Sequence, residues 1–236
     1  MEAPLAPVRA EYGRASDKLI CLLSLLNEVQ TEETKEQIRT FFQAIEVVDR
    51  HHDALTTSEE RLDFKNNLYA FFRGETVQMP QELLVPLGEL SKQIRDQGKI
   101  EGFLRCSEEI FTKGELLRVQ QNIEIAIGLI LEEGAATSDM MMLALDKEGT
   151  CLAEFIREVG ALGKLCDDII DLEEDLKNGE RSYESTGAFY QAAIPKAISN
   201  GLKIILRYPH FTKPLFLLRL FPSFLRLMKR KLFKSS

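Results

Sequence analysis

The sequence predicts an all-α protein, a single-domain antiparallel helical bundle. Apolar residues recur at intervals of three and four along nearly every segment, which is the spacing that one face of an α-helix requires. No segment alternates apolar and polar residues for long enough to predict a strand. A chain of 236 residues, 44% of them hydrophobic, can bury one sizeable core.

Polar capping residues and glycines divide the first half of the chain into helices. The first helix is predicted over residues 16–30. Thr31 is the kind of residue that caps a helix N-terminus, and the helix it begins runs into an acidic stretch. Thr57 and Ser58 precede a third helix, which ends before a loop over residues 74–80.

The second half continues the helical pattern with two predicted interruptions. Residues 81–97 are predicted to be helical, and a mostly helical run follows from Gly98 to Glu133. The small residues Gly-Ala-Ala-Thr-Ser at 134–138 predict a loop. A second break falls near Gly149 and precedes a long helix. The predicted divisions are an N-terminal segment 1–15, a helical domain 16–206 and a basic amphipathic segment 207–236.

The long helix carries the most distinctive pattern in the chain. Asp167, Asp171 and Asp175 recur every fourth residue, so one face of the helix carries three carboxylates. Aspartate is a poor helix former and the three charges repel one another, so a bound cation would explain the row. Mg²⁺ binds carboxylate oxygens and completes its shell with water and phosphate oxygens, which indicates a diphosphate ligand. A solvated acidic face is the alternative.

Three further side chains follow the acidic row. Lys177, Arg181 and Tyr183 could all bind the non-bridging oxygens of a diphosphate. Arginine does so through a planar, two-point contact that lysine cannot make. These residues strengthen the prediction of a diphosphate site.

A second acidic group lies in the first half of the chain. Asp49 and Asp53 are four residues apart, and Glu46 precedes them by about one helical turn. Two facing acidic helices could hold a metal cluster, whereas a surface pair at a helix end is the simpler interpretation. His51 and His52 lie between the aspartates, but Mg²⁺ prefers oxygen ligands.

These two groups resemble the two aspartate-rich motifs of the class I isoprenoid synthases, which include terpene synthases, trans-prenyltransferases and squalene/phytoene synthases. Residues 49–53 resemble the first motif and residues 167–175 the second. The run 171–175, followed by Gly179, Arg181 and Tyr183, is closest to the second motif of squalene/phytoene synthases. The resemblance implies an all-α bundle of the isoprenoid synthase type and three Mg²⁺ ions. The implied metal ligands are Asp49, Asp53, Asp167, Asp171 and Asp175.

The resemblance also implies roles for other residues. Arg118 precedes Asp167 by 49 positions, close to where terpene synthases place a diphosphate-sensing arginine, although a surface salt bridge is an alternative. Arg207 and Tyr208 resemble an Arg-Tyr pair that those enzymes carry after the second motif. The implied catalytic residues are Arg118, Arg181 and Tyr183, and the implied substrate-binding residues are Lys177, Arg207 and Tyr208.

The predicted function is that of a Mg²⁺-dependent class I terpene synthase, which ionises a linear prenyl diphosphate. The first motif lacks the adjacent aspartates and the following Arg-Arg pair of a trans-prenyltransferase, and no Gly-Gly-Lys site for a second diphosphate is present. A prenyltransferase or a squalene/phytoene-type head-to-head synthase is the alternative. A non-catalytic, membrane-associated helical protein is the alternative from another class.

Charge is distributed very unevenly along the chain. Ten bases and no acid follow Glu184, so residues 1–184 carry a net charge of −17. This balance argues against nucleic-acid binding by the main body. The basic segment 207–236 is predicted either to contact an anionic membrane peripherally or to form a final bundle helix. The four cysteines show no paired spacing, which predicts a cytoplasmic protein. If the protein contacts a membrane peripherally, the inner face of that membrane is expected. A homodimer is a further possibility.

Overall fold

The computed structural model is all-α within the part of the chain that it describes, which confirms the all-α part of the predicted fold class. The described residues are 16–17, 19–21, 23–24, 31–179, 181–183 and 185–211. The predicted segment 1–15 and residues 212–236 of the predicted C-terminal segment lie outside them.

Seven helices have defined bounds in the described residues. They are α1 (Glu32–Asp53), α2 (Ser58–Arg73), α3 (Gln81–Asp96), α4 (Ile100–Val119), α5 (Ile123–Ala144), α6 (Cys151–Asn178) and α7 (Thr186–Arg207). The chain divides into two compact units. Of the described residues, those up to 104 and those at 143–146 form the first unit, and those at 105–142 and 147–211 form the second.

Side-chain caps begin several helices where the sequence predicts them. The Thr31 hydroxyl accepts a hydrogen bond from a backbone N–H in the first turn of α1. Thr57 and Glu60 form a reciprocal capping box at the start of α2. Thr150 caps α6 after the predicted break at Gly149. These caps satisfy backbone donors that have no partner inside the helix.

In the first unit, α1 packs against α3, and α2 also contacts α3. The apolar stripe of α1, which includes Ile38 and Phe41, is fully buried, as are Leu83 and Leu87 of α3. Burial of such stripes is the main stabilising contribution for an amphipathic helix.

In the second unit, α6 packs against α7 and the core draws on four helices. Leu117 of α4, Ile130 of α5, Leu165 and Ile169 of α6 and Phe189 of α7 are all completely buried in one cluster. This core determines which side of α6 faces inward.

The predicted loop at residues 134–138 is wrong, because these residues lie inside the continuous helix α5. Their small side chains allow a close approach to α6. A Cβ atom on Gly134 would lie 2.6 Å from the carbonyl oxygen of Gly160, and one on Gly160 would clash with Ser138 Oγ. The glycines therefore mark a helix contact. The predicted helical run to Glu133 is instead divided at residues 120–122, where the Asn122 side chain accepts backbone hydrogen bonds at the start of α5.

Candidate functional site

The acidic row lies on α6, which is a single helix of 28 residues. Asp167 and Asp171 are exposed and Asp175 is half-buried. Leu165 and Ile169, which lie about half a turn around the helix from Asp167, are completely buried in the core of the second unit. The helix is therefore oriented so that it presents at least two carboxylates of the row to solvent.

Asp168, next to the row, is the acid that α6 buries. Its side chain is only 3% exposed. The Nε and Nη2 groups of Arg181 donate hydrogen bonds to Oδ2 at 3.0 and 2.6 Å, and Nζ of Lys164 lies 3.2 Å from Oδ1. Burial raises the pKa of the Asp168 carboxyl, but the two cations outweigh this effect and hold the pKa below its usual range. Asp168 is therefore a buried carboxylate.

Arg181, a predicted catalytic residue, is buried and bonded to Asp168. Burial lowers the pKa of its guanidinium, but Asp168 and Glu133 raise it, so the group stays charged. The contact spans 13 residues, so it holds the segment after α6 against the helix. In this arrangement Arg181 positions the acidic helix through Asp168.

Glu133 of α5 extends this arrangement. Its Oε1 atom lies 3.9 Å from Nζ of Lys164, and its side chain is largely buried. The close approach of Gly134 to Gly160 and Lys164 brings these parts of α5 and α6 together. We call Glu133, Lys164, Asp168 and Arg181 the buried charge cluster. It contains two carboxylates and two cations, so its formal charges balance.

Tyr183, the third residue after α6 that the sequence singles out, lies close to this cluster. Its ring stacks on Phe189 with the centroids 5.0 Å apart. Its buried hydroxyl has no hydrogen-bond partner among the described residues. Burial raises the pKa of this hydroxyl; Arg181 acts in the opposite direction, and Asp168, Asp175 and Glu133 raise it further. The hydroxyl therefore stays protonated and can donate a hydrogen bond.

Arg118 lies at the end of α4, next to Leu117 of the core. Its Nε atom is 3.6 Å from Oε1 of Glu115, one turn earlier. The Ser182 hydroxyl donates a hydrogen bond of 3.4 Å to the carbonyl oxygen of Gln120. The second unit thus brings the end of the Arg118 helix to the segment that carries Arg181 and Tyr183.

The predicted substrate-binding residues lie elsewhere in the second unit. Lys177 is exposed in the last turn of α6. Arg207 Nη1 forms an ion pair with Oε1 of Glu158, and the Tyr208 hydroxyl donates to the same oxygen at 3.2 Å. Glu158 precedes Asp167 by nine residues, which is roughly 14 Å along the helix axis and half a turn around it. The contacts of Arg207 and Tyr208 with Glu158 therefore lie away from the acidic row.

The first acidic group lies at the end of α1, in the first unit. Asp49 and Asp53 are exposed, and Nδ1 of His52 lies 3.9 Å from Oδ1 of Asp53. Glu46, one turn earlier, is buried, and its Oε1 atom lies 3.9 Å from Nη2 of Arg50. This helix also buries one acid and exposes its aspartates.

The donor chemistry of the α6 row suits Mg²⁺. Asp167 and Asp171 offer carboxylate oxygens one turn apart, and Mg²⁺ commonly takes one or two carboxylates, with water and phosphate oxygens in its other positions. Within the described ranges, no three His, Cys, Asp or Glu side chains are grouped closely enough to hold a metal ion by themselves. A Mg²⁺ ion at this row would therefore need water or phosphate oxygens in addition to the carboxylates of Asp167 and Asp171.

Sequence reasoning missed three members of the buried charge cluster. Lys164, Asp168, Asp171 and Asp175 follow the spacing i, i+4, i+7, i+11, which is a straighter helical stripe than the one through Asp167. This stripe was the available signal for Lys164 and Asp168. No comparable signal in the sequence pointed to Glu133, because it lies on another helix.

No protein-family model, curated protein or solved structure matches this chain. Across the ranges that the structure describes, no helix combines the length and apolar character needed to span a bilayer.

Proposed function

We propose that this protein is a Mg²⁺-dependent class I terpene synthase of the isoprenoid synthase type, which ionises a linear prenyl diphosphate to a terpene product and diphosphate. The observation that carries the proposal is the pair of exposed carboxylates, Asp167 and Asp171, on a helix held in place by the buried charge cluster. A fixed helix lets two carboxylates meet a cation without reorganising.

The chemistry needs no side-chain nucleophile. When bound, Mg²⁺ supplies positive charge that stabilises the departing diphosphate. Asp167 and Asp171 would hold the ion, with Asp175 beside them. Lys177, exposed in the last turn of the same helix, lies about half a turn around the helix from Asp175, so its contact with phosphate oxygens is part of the proposal and not of the observed geometry.

Arg181 and Tyr183 take different parts in this proposal. Arg181 positions α6 because Asp168 occupies its guanidinium. Tyr183 keeps its proton and can donate a hydrogen bond. Roles for Arg118, Asp49 and Asp53 rest on the motif resemblance, and so does the total of three Mg²⁺ ions.

The test is incubation of the purified full chain with geranyl, farnesyl and geranylgeranyl diphosphate. Each is supplied with Mg²⁺ or EDTA, and with or without isopentenyl diphosphate. Released diphosphate and extracted hydrocarbons are measured. We expect a hydrocarbon or alcohol from one substrate alone, and none with EDTA.

Asp171→Asn provides the residue-level test. Loss of a metal-binding carboxylate should lower the rate by about 100-fold or more, because several kcal/mol of charge stabilisation depend on the ion. Glu173→Gln is the matched control, because Glu173 is also exposed on α6 but lies about half a turn around the helix from Asp171. It should leave the rate unchanged.

Other outcomes would redirect or end the proposal. A longer prenyl diphosphate, formed only with isopentenyl diphosphate, would identify a prenyltransferase, and a doubled chain would identify head-to-head coupling. Absence of turnover, together with no Mg²⁺-dependent diphosphate binding, would overturn the enzyme proposal. That result would favour the non-catalytic, membrane-associated alternative.

A further inference from the structure

The outward side of α7 differs in charge from the rest of the described chain. The helix contains the bases Lys196, Lys203 and Arg207 and no acid. Its inward side is buried in the core of the second unit, with Phe189 and Ile194 among its buried residues. The outward side is therefore the only part of α7 that can meet a partner.

Two leucines lie on that outward side. Leu202 is 49% exposed and Leu206 is 81% exposed. Pro195 and Ser199, both exposed, precede them on the same stripe, at spacings of four, three and four residues. Lys196, Lys203 and Arg207 follow a stripe one residue further on, so they flank the leucines. We call the seven exposed residues of these two stripes the α7 outer face.

A groove of about 650 Å³ adjoins this face. Leu131 of α5, Ala161 of α6 and Ile204 of α7 form apolar parts of its lining, and Leu206 and Lys203 line it as well. Its acid, Glu158, is engaged by Arg207 and Tyr208. The groove thus continues the same combination of apolar surface and positive charge.

The distribution of charge along the chain favours an anionic partner for this face. Residues 1–184 carry a net charge of −17, whereas the described residues after them contain three bases and no acid. An anionic surface would repel the acidic part of the chain and attract α7. Exposed leucines flanked by lysines and arginine suit the boundary of headgroups and acyl chains in an anionic membrane.

A protein partner suits the face less well. Protein interfaces are enriched in aromatic and arginine anchors and depleted in lysine. The α7 outer face exposes no aromatic residue, and two of its three cations are lysines.

We propose that the α7 outer face docks on an anionic membrane surface. Leu202 and Leu206 enter the headgroup region, while Lys196 and Lys203 lie over the anionic headgroups. This contact belongs to the folded helix α7, and it shares only Arg207 with the predicted contact through residues 207–236. It does not depend on the proposed enzymatic function.

Sedimentation of the full chain with lipid vesicles tests the proposal. Vesicles of phosphatidylcholine alone are compared with vesicles that also contain phosphatidylglycerol. We expect binding to the anionic vesicles only, weakened by added salt. The double variant Leu202→Glu, Leu206→Glu should bind at least about tenfold more weakly, because it places two negative charges where apolar contact is needed.

The matched control is Leu62→Glu together with Val85→Glu in the first unit. These residues are 51% and 69% exposed, so the control introduces the same charges at similarly exposed apolar positions. Its vesicle binding should stay within about twofold of the wild type, because no headgroup contact is lost. Residues 212–236 are present in every protein compared, so their own contribution is common to all.

A second pair of substitutions tests the same face in case the Leu202→Glu, Leu206→Glu variant does not fold. Lys196→Gln together with Lys203→Gln changes only exposed side chains and should lower binding about tenfold, with a weaker salt dependence. The proposal is overturned if the wild type does not bind anionic vesicles. It is also overturned if the α7 variants bind like the wild type, or if the control variant loses binding equally.

Discussion

The two acidic helices resemble each other in sequence but differ in what holds them. In the first unit, α1 buries Glu46 and exposes Asp49 and Asp53. In the second unit, α6 buries Asp168 and exposes Asp167. Each helix thus places one acid inside its unit and others at the surface.

The difference lies in the partners of the buried acid. Glu46 pairs with Arg50 of its own helix at 3.9 Å, and its Oε1 atom has no hydrogen-bond partner among the described residues. Asp168 contacts Lys164 and is hydrogen-bonded to Arg181, which follows it by 13 residues. A contact between distant residues fixes the rotation of a helix, whereas a contact within one helix does not. We therefore regard α6 as the better preorganised of the two acidic faces.

The largest expected effect comes from removing each buried acid. Asp168→Ala leaves Arg181 buried without its carboxylate and should lower the free energy of unfolding by about 3–5 kcal/mol. Glu46→Ala should cost no more than about 1 kcal/mol, because Arg50 is partly exposed and can return to water. Urea denaturation of both variants measures the difference. Equal losses of unfolding free energy would show that the two buried acids stabilise their helices to the same extent.

A smaller effect is expected where α5 meets α6. Gly160→Ala would push a Cβ into Ser138 and should destabilise the fold by about 1–3 kcal/mol. Gly163→Ala, on the same helix, meets nothing within 4 Å and should stabilise it by about 0.5–1 kcal/mol. Thermal melting compares the two. Opposite signs would support the close helix contact that places Lys164 beside Glu133, and a harmless Gly160→Ala would contradict it.

Acid should weaken the second unit through Asp168. Its pKa in the folded protein is held low, so the unfolded chain takes up the proton first as the pH falls. The stabilisation is present in full above the unfolded pKa of about 4 and is lost as the pH falls through the lower folded pKa. Urea denaturation of the wild type and Asp168→Asn, at neutral pH and below about pH 4, measures this. The difference in unfolding free energy between the two proteins should become smaller in acid. A difference that stays constant with pH would show that protonation of Asp168 does not weaken the fold.

The smallest change concerns chemical labelling beside the acidic row. Burial, together with the negative charge of Asp167, raises the pKa of the Cys166 thiol to about 12. At neutral pH, Cys166 should react with iodoacetamide on the order of 100-fold or more slowly than exposed Cys151 at the start of α6, because the thiolate is the reacting species. Mass spectrometry of samples taken at successive times measures the extent of labelling at both cysteines. Similar rates would indicate that this part of α6 opens readily.

Local patterns predicted much of the fold. The apolar period indicated helices throughout, and Thr31 and Thr57 marked two helix starts because their hydroxyls can cap free backbone N–H groups. The loop predicted at residues 134–138 was wrong because small residues are compatible both with a loop and with two closely packed helices. Only the facing backbone of Gly160 distinguishes these cases.

For the candidate site, the sequence by itself determined that Asp167, Asp171 and Asp175 share one side of a helix, because their spacing follows from the helical repeat. The tertiary structure decided that Asp168 is the buried acid and Asp167 an exposed one. The physical reason is that a carboxylate can be buried only where cations meet it. Arg181, which meets Asp168, is brought there by the path of the chain after α6.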